Sequence, residues 1–321
     1  VMLVGAYQLN HTQIAEHAAI NECVTASKAL GKAWAKGLIN AVLRSIQRQS
    51  LSESAQVSDP RGEHPDWMAD LLTNQYGDAA TQLMAANNQR APMTLRINPC
   101  VISTADYKAQ LKAAAINFTE GPWPEALTLE QPQPAADLPG WHGGACAVQD
   151  LGAQCASQIM MQLLTDHATG DGALRLLDAC AAPGGKACHL LECAPTAQVL
   201  AADISDQRLE GLQENGARLK LPLDIKVVDA MQASATLGPK QFDAILADVP
   251  CSATGVMRRN PDIKITRKAS DIQTFSQQQR DILAGLWPLV KPGGRLLYVT
   301  CSVLEAEHDQ VIETAQSQLS Q

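Results

Sequence analysis

The chain has 321 residues, 46% of them hydrophobic and 18% charged, which suits two or three soluble domains with sizeable cores. No run approaches the roughly 18 apolar residues of a membrane helix, and Val1-Met-Leu-Val-Gly-Ala6 lacks the basic opening of a secretory signal. Nine cysteines without CxxC spacing argue against a disulfide scaffold and against zinc, so a cytoplasmic protein with free thiols and no metal is expected; its net charge of −8 disfavours nucleic acid unless basic residues cluster locally.

They do cluster. Residues 1–50 carry five Lys/Arg against two acids and show helical periodicity. Leu30, Trp34 and Leu38 recur at four-residue steps, and Ile39, Val42, Leu43 and Ile46 continue an apolar face. Lys28, Lys32 and Lys36 make a separate stripe, either a solvated helix face or an RNA-contacting one. Residues 51–64, polar with Pro60 and Gly62, read as a linker. Helices are predicted over 65–72 and 79–86, then a strand over 93–98. Residues 119–143 hold five prolines and read as irregular connection.

From about residue 145 strands and helices alternate. Strands are predicted at 174–178, 198–202, 224–228, 242–247 and 295–299, with helices at 151–164, 184–193, 205–219 and 273–287. This alternation describes a parallel sheet covered on both faces. Ligands bind such sheets at the carboxyl ends of the strands. The first strand runs there into Asp178-Ala-Cys-Ala-Ala-Pro-Gly-Gly-Lys186. Cys180 and Ala187 rule out a phosphate-cradling P-loop, and GxGxxG is absent. A Gly184-Gly185 turn remains, followed by Asp203 and Asp229 at the next two strand ends. Asp203 is placed for ribose hydroxyls and Asp229 for an exocyclic amine, although either could be a helix cap. An adenosine without phosphates, as in S-adenosylmethionine, fits best.

Two cysteines share that edge, Cys251 in Asp248-Val-Pro-Cys-Ser252 and Cys301 in Thr300-Cys-Ser302. The others that follow no such strand (Cys23, Cys100, Cys146, Cys155, Cys188 and Cys193) read as small core residues. Lys186 is the cation that would favour a thiolate. C5 of cytosine is a poor nucleophile until a thiolate adds to C6, and Asp248 is placed to assist at N3. Arg258, Arg259, Lys264, Arg267 and Lys268 follow at once, five bases against one acid over 258–268.

Ala179-Cys-Ala-Ala-Pro-Gly-Gly-Lys186, Asp248-Val-Pro-Cys-Ser-Ala-Thr-Gly-Val256, Arg258-Arg-Asn-Pro-Asp262 and Thr300-Cys-Ser302 resemble the motifs of bacterial RNA (cytosine-5-)-methyltransferases. Pro65, Trp67, Tyr76-Gly77, Arg90, Pro92-Met-Thr-Leu-Arg-Ile-Asn98 and Gln149-Asp150 resemble that family's pre-catalytic region. His17-Ala-Ala-Ile-Asn21 and Lys36-Gly-Leu-Ile-Asn-Ala-Val-Leu-Arg44 are similar to the helical RNA-binding domain of antitermination factor B. The resemblance implies an all-α RNA-binding domain over 1–55, a pre-catalytic α/β region over 56–145, and a Rossmann-like class I methyltransferase sheet over 146–321. It implies that Cys301 is the nucleophile and that Cys251 resolves the adduct. Cys180, Ala181, Ala182, Pro183, Gly184, Gly185 and Lys186, with Asp203, Asp229 and Asp248, would line the S-adenosylmethionine site. Arg96, Arg258, Arg259 and Lys264 would contact RNA, and a monomer acting on small-subunit ribosomal RNA is expected.

Ala187 departs from the Thr usual in that family. The helical domain begins part-way through, and relatives continue for two more strands after Gln321, so the sheet is expected to end on an exposed strand. Two other classes compete. One is a non-catalytic RNA-binding protein that keeps the fold; the other is an NAD-dependent oxidoreductase, which the missing GxGxxG disfavours.

Overall fold

The structure is a computed structural model that describes residues 1–12, 14–50, 59–165 and 173–319. Two compact units divide at residue 59. The first holds α1 (Met2–His11), α2 (Glu16–Ala29) and α3 (Lys36–Ser50). Its core joins Ile20, Cys23, Val24, Ala35, Ile39 and Leu43. The Lys28, Lys32, Lys36 stripe is not realised: α2 ends at Ala29, Gly31 takes a positive φ of 70°, and the lysines fall on separate elements. Leu30, Trp34 and Leu38 span the same break and are exposed, so the apolar face is carried by Ile39 and Leu43, with Ile46 half-buried against them.

The second unit begins with α4 (Asp66–Tyr76) and α5 (Ala79–Asn87), then an antiparallel sheet of β1 (Met93–Ile97), β2 (Phe118–Glu120), β3 (Ala126–Leu129) and β4 (Cys146–Val148), ordered β2-β3-β1-β4. α6 (Thr104–Ala113) lies between β1 and β2 and is capped by Ser103, whose hydroxyl accepts from Asp106 N. The proline-rich stretch thus contains two strands. β3 is too short to show an alternating pattern, and it is pairing with β1, Met93 opposite Leu129 through Arg96 opposite Ala126, that fixes it. All five residues of β1 are buried.

Next come α7 (Leu151–Thr165), β5 (Arg175–Asp178), α8 (Gly185–Cys193), β6 (Gln198–Asp203), α9 (Asp206–Leu219), β7 (Asp224–Val227), α10 (Ala233–Leu237), β8 (Phe242–Asp248), α11 (Ile263–Thr266), α12 (Ala269–Leu286), β9 (Val290–Val299) and α13 (Asp309–Leu319). The sheet is parallel with order β7-β6-β5-β8-β9. Successive strand residues serve opposite layers. Leu176, Ala244 and Leu246 pack under α7, α8 and α9, while Leu177, Ile245 and Ala247 pack towards Ile282 and Leu286 of α12. Strands buried on both faces explain the unbroken apolar runs. β9 is an edge strand, and its residues from Arg295 to Val299 are half-buried, as expected of the last strand. Strand order reverses between β5 and β8, which puts the glycine turn and the Asp248–Cys251 segment on either side of the switch point.

Candidate active site

The glycine turn is built for close approach. Gly184 has φ +98°, and a Cβ there would lie 2.9 Å from Leu212 Cγ and 3.3 Å from Leu212 Cα, so no side chain fits. Gly184 N donates to Ala181 O at 2.6 Å, and Cys188 N donates back to Gly184 O as α8 begins. Ala187 is buried in the core, where its methyl replaces the expected Thr.

Arg96 is corrected by the structure. It is fully buried and contacts no solvent, so it is not an RNA contact. Its Nε and Nη2 donate to Glu192 at 2.6 and 2.8 Å, and Nη1 donates to Gly185 O at 2.8 Å and to Gln149 Oε1. The antiparallel sheet therefore grips the glycine turn through this guanidinium. Burial pushes the Glu192 carboxyl up, while Arg96 pulls it back.

Four carboxylates surround the turn. Asp203 is buried at the end of β6, where its oxygens accept from Ala182 N at 3.2 Å and Ser205 N at 3.0 Å, with Arg208 Nη1 at 3.4 Å. Arg208 also donates to Ala182 O at 2.8 Å, which ties the turn to α9. Asp229 caps a short 3-10 turn, Oδ1 accepting from Met231 N at 3.0 Å. Asp248 accepts from Lys186 Nζ at 2.5 Å across the switch point. Asp178, at the end of β5, is fully buried with neither oxygen partnered among the described residues. Burial and then the Asp248 charge push its carboxyl up to about 7, against the pull of Lys186 and of the nearby Cys180 backbone N–H, which falls short of ordinary hydrogen-bond geometry. Such a set is rich in acceptors and hostile to phosphate. It suits a ligand carrying hydroxyls, an amine and a positive charge, which fits S-adenosylmethionine.

Beside this turn lies a cleft of about 510 Å³ whose lining includes Thr94, Asp150, Lys186, Asp248, Arg259 and Cys301. Cys251 and Cys301 bring their sulfurs to 3.3 Å. Cys301 is exposed to the cleft and Cys251 is buried behind it. The hydrogen bond between the two thiols, with Lys186, pulls Cys301 below an ordinary thiol against burial and the Asp248 charge. The same contact and burial push Cys251 up. One exposed, more acidic thiol and one buried, protonated neighbour result.

Both thiol loops are held at close quarters. Gly255 N donates to Cys301 O at 2.8 Å, and a Cβ on Gly255 would sit 2.7 Å from that oxygen. Gln75 and Tyr76 of α4 donate to Val303 O at 2.8 and 2.6 Å. Gln75 and Tyr76 therefore support the Cys301 loop. Of the six cysteines expected in the core, Cys23, Cys146 and Cys188 are buried and Cys155 and Cys193 half-buried; Cys100 is exposed, so it is no core residue.

The expected RNA-facing bases are brought together only in part. Arg258 and Arg259 line the cleft; Arg259 grips Asp150 with both Nε and Nη2 and donates to Pro92 O at 3.0 Å. Lys264 stands outside the lining and donates to Asn88 Oδ1. Arg267 donates to Ser252 O at 3.0 Å, a support of the Cys251 loop. The sequence signal missed Asp178, Ser252, Gln279, Ser302 and Glu307. Only the position of Asp178 at a strand end and of the serines beside the cysteines could have pointed to them.

Residues 165–320 match the model of the 16S rRNA methyltransferase RsmB/F family, residues 64–136 its ferredoxin-like domain, and residues 1–48 the NusB family. Ribosomal RNA small subunit methyltransferase B of Enterobacter sp. (strain 638) is 43% identical over 316 residues, covering 97% of this chain and 72% of that protein. Its counterpart in Yersinia enterocolitica is 43% identical over 317 residues, covering 98% and 72%. A methyltransferase homolog protein from Pyrococcus horikoshii shares the fold with a TM-score of 0.68, at 23% identity, covering 82% of this chain and 83% of that one. A helical NusB-like region, a Rossmann-like sheet and relatives of this closeness agree: the chain belongs to the RsmB/F family of 16S rRNA methyltransferases, enzymes whose methyl donor is S-adenosylmethionine.

Proposed function

We propose that this enzyme methylates C5 of a cytosine in small-subunit (16S) ribosomal RNA through a covalent bond between Cys301 Sγ and C6. The observation that carries this is the pair of sulfurs 3.3 Å apart, one exposed and one buried, beside the Lys186–Asp248 pair. A metabolite methyltransferase acting on oxygen or nitrogen has no use for two such thiols.

Cys180 to Lys186, Asp203, Asp229 and Asp248 would hold S-adenosylmethionine, which when bound supplies an electrophilic methyl group on a sulfonium. Cys301 thiolate adds to C6, and the electron pair of the 5,6 double bond moves towards N3. Asp248, hydrogen-bonded to Lys186, faces N3 and relays a proton to it from that pair as the electrons arrive, so the addition builds no anion on the ring. C5 is then the nucleophilic carbon of an enamine. After C5 carries its new methyl group, the C6–Sγ bond breaks, Cys251 passes its proton to the departing Cys301 thiolate and takes up the C5 proton in exchange, and the C5–H electron pair restores the 5,6 double bond and the aromatic ring. A cytosine reaches the cleft by leaving its stack, at a few kcal/mol, and Arg258 and Arg259 at the rim would hold the flanking phosphates. Residues 1–55 are read as the RNA-docking part, 56–145 as the pre-catalytic support and 146–321 as the catalytic sheet, in a cytoplasmic monomer.

Radiolabelled methyl transfer to 16S rRNA followed by nucleoside analysis tests the reading. The label is expected in 5-methylcytidine; label in any other nucleoside contradicts it.

A further inference from the structure

We propose that Glu307 is the positioning residue that sets the two thiols side by side, by clamping the loops that carry them. The inference rests on the two-thiol reading above and deepens it. Glu307 lies in a 3-10 turn after β9 and is fully buried. Its Oε1 accepts from Ser252 N at 2.8 Å and Gln279 Nε2 at 3.1 Å. Its Oε2 accepts from Ser252 Oγ at 2.5 Å and Ser302 Oγ at 2.6 Å. Four donors thus meet the four lone-pair positions of one carboxylate.

The partners are what make this a positioning device. Ser252 follows Cys251 and Ser302 follows Cys301, so one side chain is bonded to the immediate neighbour of each thiol. The loops leave different strands, β8 and β9, and no covalent link sets their spacing. Gln279 of α12 reinforces the clamp by donating to Pro250 O at 3.0 Å, just before Cys251. Tyr298 Oη sits 3.0 Å from Gln279 Oε1 and 2.7 Å from Glu307 O. Ser302 Oγ lies 3.1 Å from Thr254 Oγ1, closing the network between the loops. A carboxylate is costly to bury unless every acceptor site is met. Here it occupies the one place where the loops must register to within a sulfur–sulfur contact, and apolar filler would fix volume without fixing direction.

The groups facing Cys301 are Cys251, Lys186 and Asp248. Loss of the clamp should take Cys251 out of hydrogen-bond range while leaving the other two in place. The test is alkylation of Cys301 by iodoacetamide across pH, mapped by mass spectrometry on the full chain, for the parent, Glu307→Ala, Glu307→Gln and Cys251→Ala. Glu307→Ala and Cys251→Ala should move the alkylation midpoint upward together, with the pH 7 rate relative to its plateau falling at least about threefold. Glu307→Gln, whose Oε1 still accepts from Ser252 N and Gln279, should stay within about twofold of the parent. S-adenosylmethionine affinity by calorimetry should be unchanged, which shows the sheet intact. A folded Glu307→Ala with the parent's midpoint overturns the clamp. Should Glu307→Ala fail to fold, Ser302→Ala takes its place with the same expectation, and an unmoved midpoint again overturns it. Methyl transfer retained by Cys301→Ala would sink the two-thiol reading instead, and leaves the alkylation result, read without RNA, to stand or fall alone.

Discussion

Asp178 shows how a single buried group couples the site to stability. Its folded pKa of about 7 lies above the 3.8 of an ordinary aspartate, because burial and the Asp248 charge disfavour the anion. Between those values the folded state holds a proton that the unfolded chain has lost. Stability from this group is therefore full below pH 4 and is lost as pH rises through 7, a fall of roughly 4 kcal/mol. Asp178→Asn keeps the shape and removes the titration. Urea midpoints from pH 4 to 8 should decline less steeply in the variant; parallel curves would show that Asp178 titrates as an exposed acid does. The same carboxylate was visible in the sequence only as the last residue of a strand. Its lack of a partner is a property of packing, which a strand pattern does not carry.

At the scale of elements, Arg96 joins two sheets. A guanidinium bonded to Glu192, Gln149 and Gly185 O fastens β1 to α8 at the glycine turn. Breaking one side of a buried pair strands the other charge, typically at 3–5 kcal/mol. Arg96→Met should destabilise the fold by about that amount, and Arg96→Met with Glu192→Met should recover much of it. A surface role would instead leave the urea midpoint unmoved and weaken RNA binding. Sequence periodicity named the five parallel strands with α7, α8, α9 and α12, most plainly at β5, β6 and β8, whose burial on both faces spells nearly unbroken apolar runs, but it did not name α10 or α11. It missed β2 and β3 among the prolines, since strands this short are defined by their partners. It also laid one helix across Leu30 to Lys36, where a positive-φ glycine breaks the chain. Cys180 to Lys186, Asp203, Asp248, Cys251 and Cys301 converge because strand ends of a parallel sheet share one edge. Glu307 was illegible because its partners come from three separate segments of chain.

Taken as a whole, the molecule is acidic, at −8, yet places Arg258 and Arg259 on the rim of its cleft. Removing one cation from a phosphate should lower the steepness of log affinity against log salt by a little under one. Arg258→Gln with Arg259→Gln should flatten the RNA-binding slope by about one to two, read by filter binding over a salt series. An unchanged slope would take this rim out of the interface. Among the described residues no helix is long and apolar enough to cross a membrane.

The proposed reaction divides its labour between two adjacent thiols. The most direct measurement is denaturing electrophoresis of Cys251→Ala and Cys301→Ala after incubation with S-adenosylmethionine and 16S rRNA. Cys251→Ala should accumulate a covalent protein–RNA band, held through Cys301 and unable to resolve. Cys301→Ala should give neither a band nor methylated RNA. The reverse pattern would exchange the two roles, and methyl transfer by both variants without any band would contradict the thiol mechanism.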